Sequence, residues 1–182
     1  EYLEQELLQH KFHVSQAKIL INLEFTSNAV EKQVNKKSYS VVHLATHGQF
    51  SSNSNETFLL AYDGRIKVKE LSKWLQDRQE NLPKAIELLV LSACETAAGD
   101  NEAALGLAGV AIQAGARSTV ASLWALNDAS TAELMGQFYQ ELTKPNITKA
   151  QALRNAQLTL LKQEEYSIPY LWAPYVLIGN WL

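Results

Sequence analysis

Two side chains of this sequence, Cys94 and His47, could form a nucleophile and its proton-transfer partner. Cys94, the only cysteine, ends an apolar run that begins at Leu88, and His47 ends another that begins at Val41. In an open α/β sheet, the carboxyl ends of parallel strands surround one crevice, where ligands usually bind. A thiol and an imidazole at two such ends could face each other, which is the arrangement that a cysteine–histidine dyad needs.

The chemistry of such a dyad depends on the protonation of its thiol. A free thiol has a pKa of about 8.5, so the attacking thiolate must be favoured by a nearby cation or a helix N-terminus. His47 could supply that charge and later carry a proton to the leaving group. The alternative is that Cys94 is a small buried hydrophobe at the end of a strand, as free cysteines often are. The residues alone leave both interpretations open.

A second histidine, His43, lies between Val42 and Leu44 in the middle of the first run. That position predicts a hydrogen-bonded core histidine rather than a base. His47 is followed by Gly48, and the missing side chain there lets a backbone N–H approach a ligand closely. A simple turn is the alternative interpretation of Gly48.

Length and composition restrict the class of protein. The chain has 182 residues, 47% hydrophobic and 19% charged, and its net charge is −3. These values predict one soluble domain over residues 1–182 and favour neither nucleic acid nor a membrane as a partner. A single cysteine cannot form an internal disulfide, which favours a reducing, cytoplasmic setting. The absence of an N-terminal methionine indicates a segment excised from a longer protein.

Short apolar runs separated by helical patterns predict a mostly parallel sheet with helices on both faces. The runs lack clean alternation, as expected of strands that are covered on both sides. We predict central strands at Ser40–Thr46, Ile86–Ser92, Ser118–Trp124 and Tyr175–Ile178, and edge strands near Lys18–Leu23 and Thr57–Tyr62.

Helical spacing and capping residues predict the helices. Two amphipathic faces consist of Val68, Leu71, Trp74 and Leu75, and of Leu134, Met135, Phe138 and Leu142. Helix N-caps are predicted at Asn28, Asp128 and Thr148. Thr148 and Gln151 form the pattern of a capping box, which opens a helix through Leu161. The stretch Ala103–Ala114 predicts a further helix.

Several other chemistries lack their sequence signatures. The chain has no Gly-x-Ser-x-Gly elbow, no phosphate-binding loop and no complete dinucleotide fingerprint. No cluster of His, Cys and carboxylate residues has metal-ligand spacing, so we expect neither a metal nor an organic cofactor. The polar stretches Ser51–Asn55 and Gly99–Asn101 predict mobile surface loops after the two candidate residues.

In several blocks that occur in the same order, the sequence resembles the CHAT domain, a caspase- and separase-like module often found after TPR helical repeats. The resemblance extends from about Ser40 to the C-terminus, and residues 1–26 fit it only loosely. The blocks that carry it are Val42–Gly48, Leu89–Thr96, Gly106–Ala108, Ala114–Ala116, Ser122–Trp124, Asp128, Phe138–Tyr139, Ala152–Leu153, Ala156–Gln157, Trp172–Tyr175 and Gly179.

This resemblance implies a caspase-like three-layer α/β sandwich and a cysteine endopeptidase. It implies that Cys94 attacks the scissile carbonyl and that His47 polarises or protonates the scissile group. It also implies an oxyanion hole formed by the backbone N–H groups of Gly48 and Cys94. The substrate would be a protein or peptide, and TPR repeats of the parent protein could regulate its cleavage. A non-catalytic regulatory or scaffolding module of a signalling protein is the alternative.

Charged side chains beside the nucleophile would select the substrate residue in such a protease. Asp128 follows Trp124 after the third predicted strand and could favour a basic residue, although capping the Ala129–Leu142 helix also explains its position. Asp100 and Glu102 are either alternative pocket charges or solvated loop residues. Trp124 could form a pocket wall or belong to the core.

Overall fold

The computed structural model describes residues 17–51, 53, 55–82, 84–92, 95–96, 112 and 115–182. The chain forms two compact units. The first contains Lys18–Ala125 and Ile178–Asn180. The second contains Leu126–Leu177 and Trp181–Leu182, together with Ala17 among the described N-terminal residues.

The described elements alternate between strands and helices along most of the chain. The strands are β1 Val41–Ala45, β2 Gly48–Phe50, β3 Phe58–Ala61, β4 Gly64–Lys67, β5 Leu88–Ser92, β6 Glu95–Thr96, β7 Ser118–Ser122 and β8 Tyr175–Gly179. The α-helices are α1 Ser27–Lys36, α2 Val68–Asn81, α3 Asp128–Leu142, α4 Lys149–Leu161 and α5 Pro169–Trp172. Short 3-10 helices lie at Asn22–Glu24 and Glu164–Tyr166.

The larger sheet has the strand order β1-β5-β7-β8. β1 and β5 pair in parallel, with Val41 opposite Leu88 and Ala45 opposite Ser92, and β7 pairs in parallel with the other side of β5. Every residue of β5 and β7 is buried, as in sheets that are covered on both faces. The predicted α/β class with a mostly parallel central sheet is therefore confirmed. The burial of β5 and β7 is what a three-layer sandwich requires.

A smaller sheet, in the order β4-β3-β2-β6, follows the ends of β1 and β5. β2 pairs antiparallel with β3 and parallel with β6, while β3 and β4 form an antiparallel hairpin. Leu59 and Ile66 bury one face of this hairpin, with exposed fractions of only 2% and 1%. The predicted strand at Thr57–Tyr62 is thus present, but it belongs to this second sheet.

Helices α1 and α2 pack on the core of the first unit. The predicted apolar face of α2 is confirmed, since Val68, Leu71, Trp74 and Leu75 are all buried. They belong to one hydrophobic cluster with Leu44 of β1 and Leu89 of β5. Burial of a large apolar side chain stabilises a fold by about 1.5–3 kcal/mol, so this helix contributes much of the packing around the sheet.

The buried face of α2 also carries a charged residue, Arg78, which is only 2% exposed. Its guanidinium donates hydrogen bonds to the carbonyls of Val34 in α1, Lys37 and Tyr39 before β1, and Lys84 before β5. Burial lowers the pKa of Arg78 from its ordinary value, although an arginine stays protonated in proteins. This one side chain therefore joins the segments that lead into β1 and β5.

The second unit is mostly helical, and it also contains the start of β8. The predicted capping box of α4 is confirmed: the Thr148 hydroxyl accepts from the Gln151 N–H at 3.1 Å, and the Gln151 side chain accepts from the Thr148 N–H at 3.0 Å. In α3, the predicted apolar face is buried at Leu134, Met135 and Phe138. Among the described residues, no helix combines the length and apolarity needed to cross a bilayer.

Two predicted caps are wrong by one or two residues. The N-cap of α1 is Thr26, whose hydroxyl accepts from the Ala29 N–H, rather than Asn28. The N-cap of α3 is Asn127 rather than Asp128, which is the first helical residue. In each case a neighbouring side chain of the same capping type takes the position, because packing of the helix decides which residue precedes its first turn.

One predicted strand is absent. Asn22–Glu24, at the end of the predicted edge strand Lys18–Leu23, is a 3-10 helix, and Asn22 has a φ of +47°. Leu20 packs against the core while Ile19 and Ile21 are exposed, so the alternation expected of a strand exists without a described partner strand. The predicted helix Ala103–Ala114 lies outside the described residues apart from Ile112.

Replacement of Arg78 by methionine keeps an apolar stem but removes the donors to four carbonyls. We expect the free energy of unfolding to fall by about 3 kcal/mol, because orphaned buried acceptors each cost roughly 1–3 kcal/mol and relaxation recovers part of the sum. Urea unfolding followed by circular dichroism measures the loss. The matched control is Arg154→Met on the exposed side of α4, expected to change stability by less than about 0.5 kcal/mol. Equal stability of the two variants would contradict the conclusion that the hydrogen bonds of Arg78 stabilise the fold.

Candidate active site

His47 lies at the junction of the two sheets, directly before β2. The Thr46 N–H donates to the Ser92 carbonyl at 3.2 Å, which continues the β1–β5 ladder by one residue. The Thr46 hydroxyl donates to the Leu60 carbonyl at 2.6 Å, and the Leu60 N–H donates to the His47 carbonyl at 2.8 Å. Both sheets therefore hold the backbone around His47, while this residue is exposed to solvent.

Cys94 lies outside the described residues, but backbone on both sides of it is described. Before it, Ser92 pairs with Ala45, and after it, Glu95 pairs with Gln49, both in parallel. The prediction that β1 and β5 end side by side is confirmed. Between these pairs the β1 side has one more residue than the β5 side.

Gly48 is buried and begins β2, so the interpretation of this residue as a simple turn is wrong. It lies opposite Leu59 in the antiparallel ladder. Because the Leu60 N–H bonds to the His47 carbonyl, Gly48 and Leu59 form a non-hydrogen-bonded pair. The N–H of Gly48 consequently points away from β3, toward the side of β2 on which β6 pairs.

His43 joins the two central strands near their carboxyl ends. Its Nε2 lies 2.9 Å from the Ser92 hydroxyl oxygen, so a hydrogen bond connects β1 with β5. Burial lowers the pKa of His43 from 6.5 to about 4. The imidazole is therefore neutral at about pH 7, and the prediction of a hydrogen-bonded histidine is confirmed.

The predicted specificity residues are separated by the unit boundary or lie outside the described ranges. Trp124 is half-buried and belongs to the unit that contains the sheets. Asp128 is exposed at the start of α3, in the helical unit. The capping role proposed for Asp128 belongs to Asn127, whose side-chain oxygen accepts from the Ser130 N–H at 3.1 Å. A role of Asp128 or Trp124 in substrate selection stays a prediction.

Asp100 and Glu102, the other predicted pocket charges, lie outside the described residues. Over the ranges that are described, no group of three or more His, Cys, Asp or Glu side chains could hold a metal ion. The sequence analysis predicted the first strand of the β3–β4 hairpin, near Thr57–Tyr62, but missed β4. Its signal was present, because Asp63-Gly64 separates two alternating stretches, a pattern typical of a hairpin.

A comparison with models of protein families identifies the CHAT domain. The model of the CHAT domain matches residues 2–180, essentially the whole chain. The chain therefore belongs to the CHAT-domain family, which is related to caspase-like peptidases. A search of curated proteins finds no match to this sequence.

Acid should destabilise the chain partly through His43. The unfolded imidazole takes up a proton near pH 6.5 and the folded one only at about pH 4, so stability falls as the pH drops through this window. In His43→Gln this contribution is absent, and the free energy of unfolding should fall less between about pH 7 and pH 5 than in the wild type. Urea unfolding at the two pH values measures the difference. An unchanged pH dependence in the variant would rule out the buried neutral state.

Proposed function

We propose that this chain is a caspase-like cysteine endopeptidase in which Cys94 is the nucleophile and His47 is the general acid and base. The observation that supports this proposal most strongly is the pairing of the strands before and after the two residues. The parallel pairs β1–β5 and β2–β6 enclose the two connections that contain these residues. Membership of the CHAT-domain family supports the same chemistry.

In the proposed reaction, the Cys94 thiol gives its proton to His47, and the thiolate attacks the carbonyl carbon of the scissile peptide. A carbon–sulfur bond forms, and the carbonyl electron pair moves onto oxygen. When the tetrahedral intermediate collapses, the carbon–nitrogen bond breaks and His47 protonates the departing amine. Water, deprotonated by His47, then hydrolyses the thioester, which restores the thiol and releases a carboxylate.

The proposed oxyanion hole consists of the backbone N–H groups of Gly48 and Cys94. The direction of the Gly48 N–H, toward the side of β2 that faces β6, supports this assignment. A single donor aimed at the developing oxyanion lowers the activation barrier by about 3 kcal/mol. The buried position of Gly48 keeps that donor on a fixed strand.

Of the two histidines near the strand ends, His47 suits the dyad better than His43. The pKa of about 4 keeps His43 neutral, so it does not supply the cation that favours a thiolate. Its ring is also engaged with the Ser92 hydroxyl. His47 is exposed, as a group that must exchange protons with substrate and water should be.

The first test is the reactivity of the thiol. At about pH 6.5, Cys94 should react with iodoacetamide at least tenfold faster than a model thiol, because His47 stabilises the thiolate. His47→Ala should remove this advantage, while His13→Ala, in the N-terminal segment without a motif, should retain it. Mass spectrometry of the alkylated chain gives the rates. Slow labelling that does not depend on His47 would argue strongly against the dyad.

The second test is cleavage. We expect the chain to cut members of a random peptide library slowly on its own, and Cys94→Ala should lower the rate by about 10³-fold or more, since it removes the covalent step. Mass spectrometry of the products identifies the cleaved bonds. Cleavage that survives in Cys94→Ala would overturn the proposal. If wild type and variant are both inactive, including in the presence of the TPR repeats of a parent protein, the scaffolding alternative is favoured.

A further inference from the structure

One face of the smaller sheet is open to solvent and carries a recess. This hairpin recess has a volume of about 190 Å³ and is lined by Gln49, Asn55, Glu56, Phe58, Arg65 and Lys67. The opposite face of the same strands packs into the core through Leu59 and Ile66. The recess is smaller than the pockets that enclose drug-sized ligands, which suits a single side chain.

The hairpin recess combines an apolar surface with two cations. The Arg65 guanidinium carbon lies 4.2 Å from the centre of the Phe58 ring. Lys67 is directly opposite Phe58 in the ladder, and it shares a face with Arg65 because the two residues are two positions apart on β4. Among the described residues, neither cation forms an ion pair.

Two described carboxylates near the recess already accept hydrogen bonds. The Glu56 carboxylate accepts a hydrogen bond from the Asn53 side chain at 3.2 Å. Both cations are on the edge strand β4, where the Glu70 carboxylate accepts a hydrogen bond from the backbone N–H of Lys67 at 2.7 Å. Charge complementarity therefore favours an anionic group at the β4 end of the recess.

The hairpin recess is close to His47 on the surface of the smaller sheet. Residues that lie opposite each other on neighbouring strands form a row across this sheet, and the row of the recess is next to the row of His47. His47 and Gln49 are on the same face of the strand, since the intervening Gly48 is buried. Two residues of a strand span about 7 Å, so the row of Gln49 and Phe58 follows the row of His47 at that distance. An extended peptide with its scissile bond at His47 would place the side chain two or three residues away over the recess.

We propose that the hairpin recess binds an acidic side chain, Asp or Glu, of the polypeptide substrate, two or three residues from the scissile bond. The carboxylate accepts hydrogen bonds from Arg65 and Lys67, and its methylene groups contact the Phe58 ring. This proposal rests on the proposed protease function, because it takes the position of the scissile bond from His47. The experiment below measures binding separately from cleavage.

Binding is measured with the Cys94→Ala chain, which leaves the probe intact. The probes are two fluorescein-labelled decapeptide mixtures of neutral residues, one with a single Glu at each position in turn and the other with Gln. At low salt, the Glu mixture should bind about three- to tenfold more tightly, the range expected for exposed charge pairs. The double variant Arg65→Gln, Lys67→Gln should bind both mixtures equally. Arg154→Gln, Lys162→Gln, which removes two exposed cations of the helical unit, should keep the preference.

Fluorescence anisotropy gives the affinities. Equal affinity for the two mixtures, or a preference that survives in the recess variant, would overturn the proposed site. In the wild type, the Glu and Gln peptides that are cleaved should show the same ratio in kcat/KM as in binding, and in the recess variant this ratio should fall to about one. Cleavage without any acidic preference overturns the recess but not the protease. An acidic binding preference without cleavage in any mixture, including in the presence of the TPR repeats of a parent protein, supports the recess as a binding site and overturns the protease.

Discussion

The candidate site depends on the parallel pairing of β1 with β5. The ladder decides which residues lie opposite each other, and a slip by one residue would turn every side chain to the other face. Here Ala45 pairs with Ser92, so β1 and β5 end side by side. Beyond these ends, the chain segments that follow them pair again in parallel as β2 and β6. Paired backbone thus precedes and follows the short connection that contains His47.

Two polar interactions specify this pairing within largely apolar strands. Arg78 joins the segments that precede β1 and β5 through carbonyls on both, at 2.7 Å to Tyr39 and 3.4 Å to Lys84. His43 and Ser92 join the same strands near their other ends. Apolar side chains pack in many arrangements, whereas buried donors and acceptors are satisfied in few. The two contacts therefore favour one register over its neighbours, at both ends of the strand pair.

Local patterns were sufficient to predict much of the fold. The central strands and the Thr148 capping box depend on residues close in sequence, and the structure contains them. The caps of α1 and α3 were misplaced because Thr26 and Asn28, or Asn127 and Asp128, are equally suitable by type. Only the packing of each helix distinguishes them.

The site was predicted from one rule, that the carboxyl ends of neighbouring parallel strands surround one crevice. That rule places His47 at the junction. Apart from the strand near Thr57–Tyr62, the smaller sheet was missed, because β2 has only three residues and β6 only two. Arg78 was not singled out, since a charged residue on an amphipathic helix is usually solvated. Its burial depends on carbonyls of Val34 and Lys84, in separate segments of the chain. Contacts of this kind have no signature in a local window.

The two hydrogen bonds between the hairpin and the segment around His47 have a mechanical consequence. Thr46 and His47 are hydrogen-bonded to Leu60, which lies in β3 together with Phe58. A displacement of β3 therefore also moves the backbone of Thr46 and His47. A molecule that binds to this hairpin is therefore held at a nearly fixed distance from the backbone of His47.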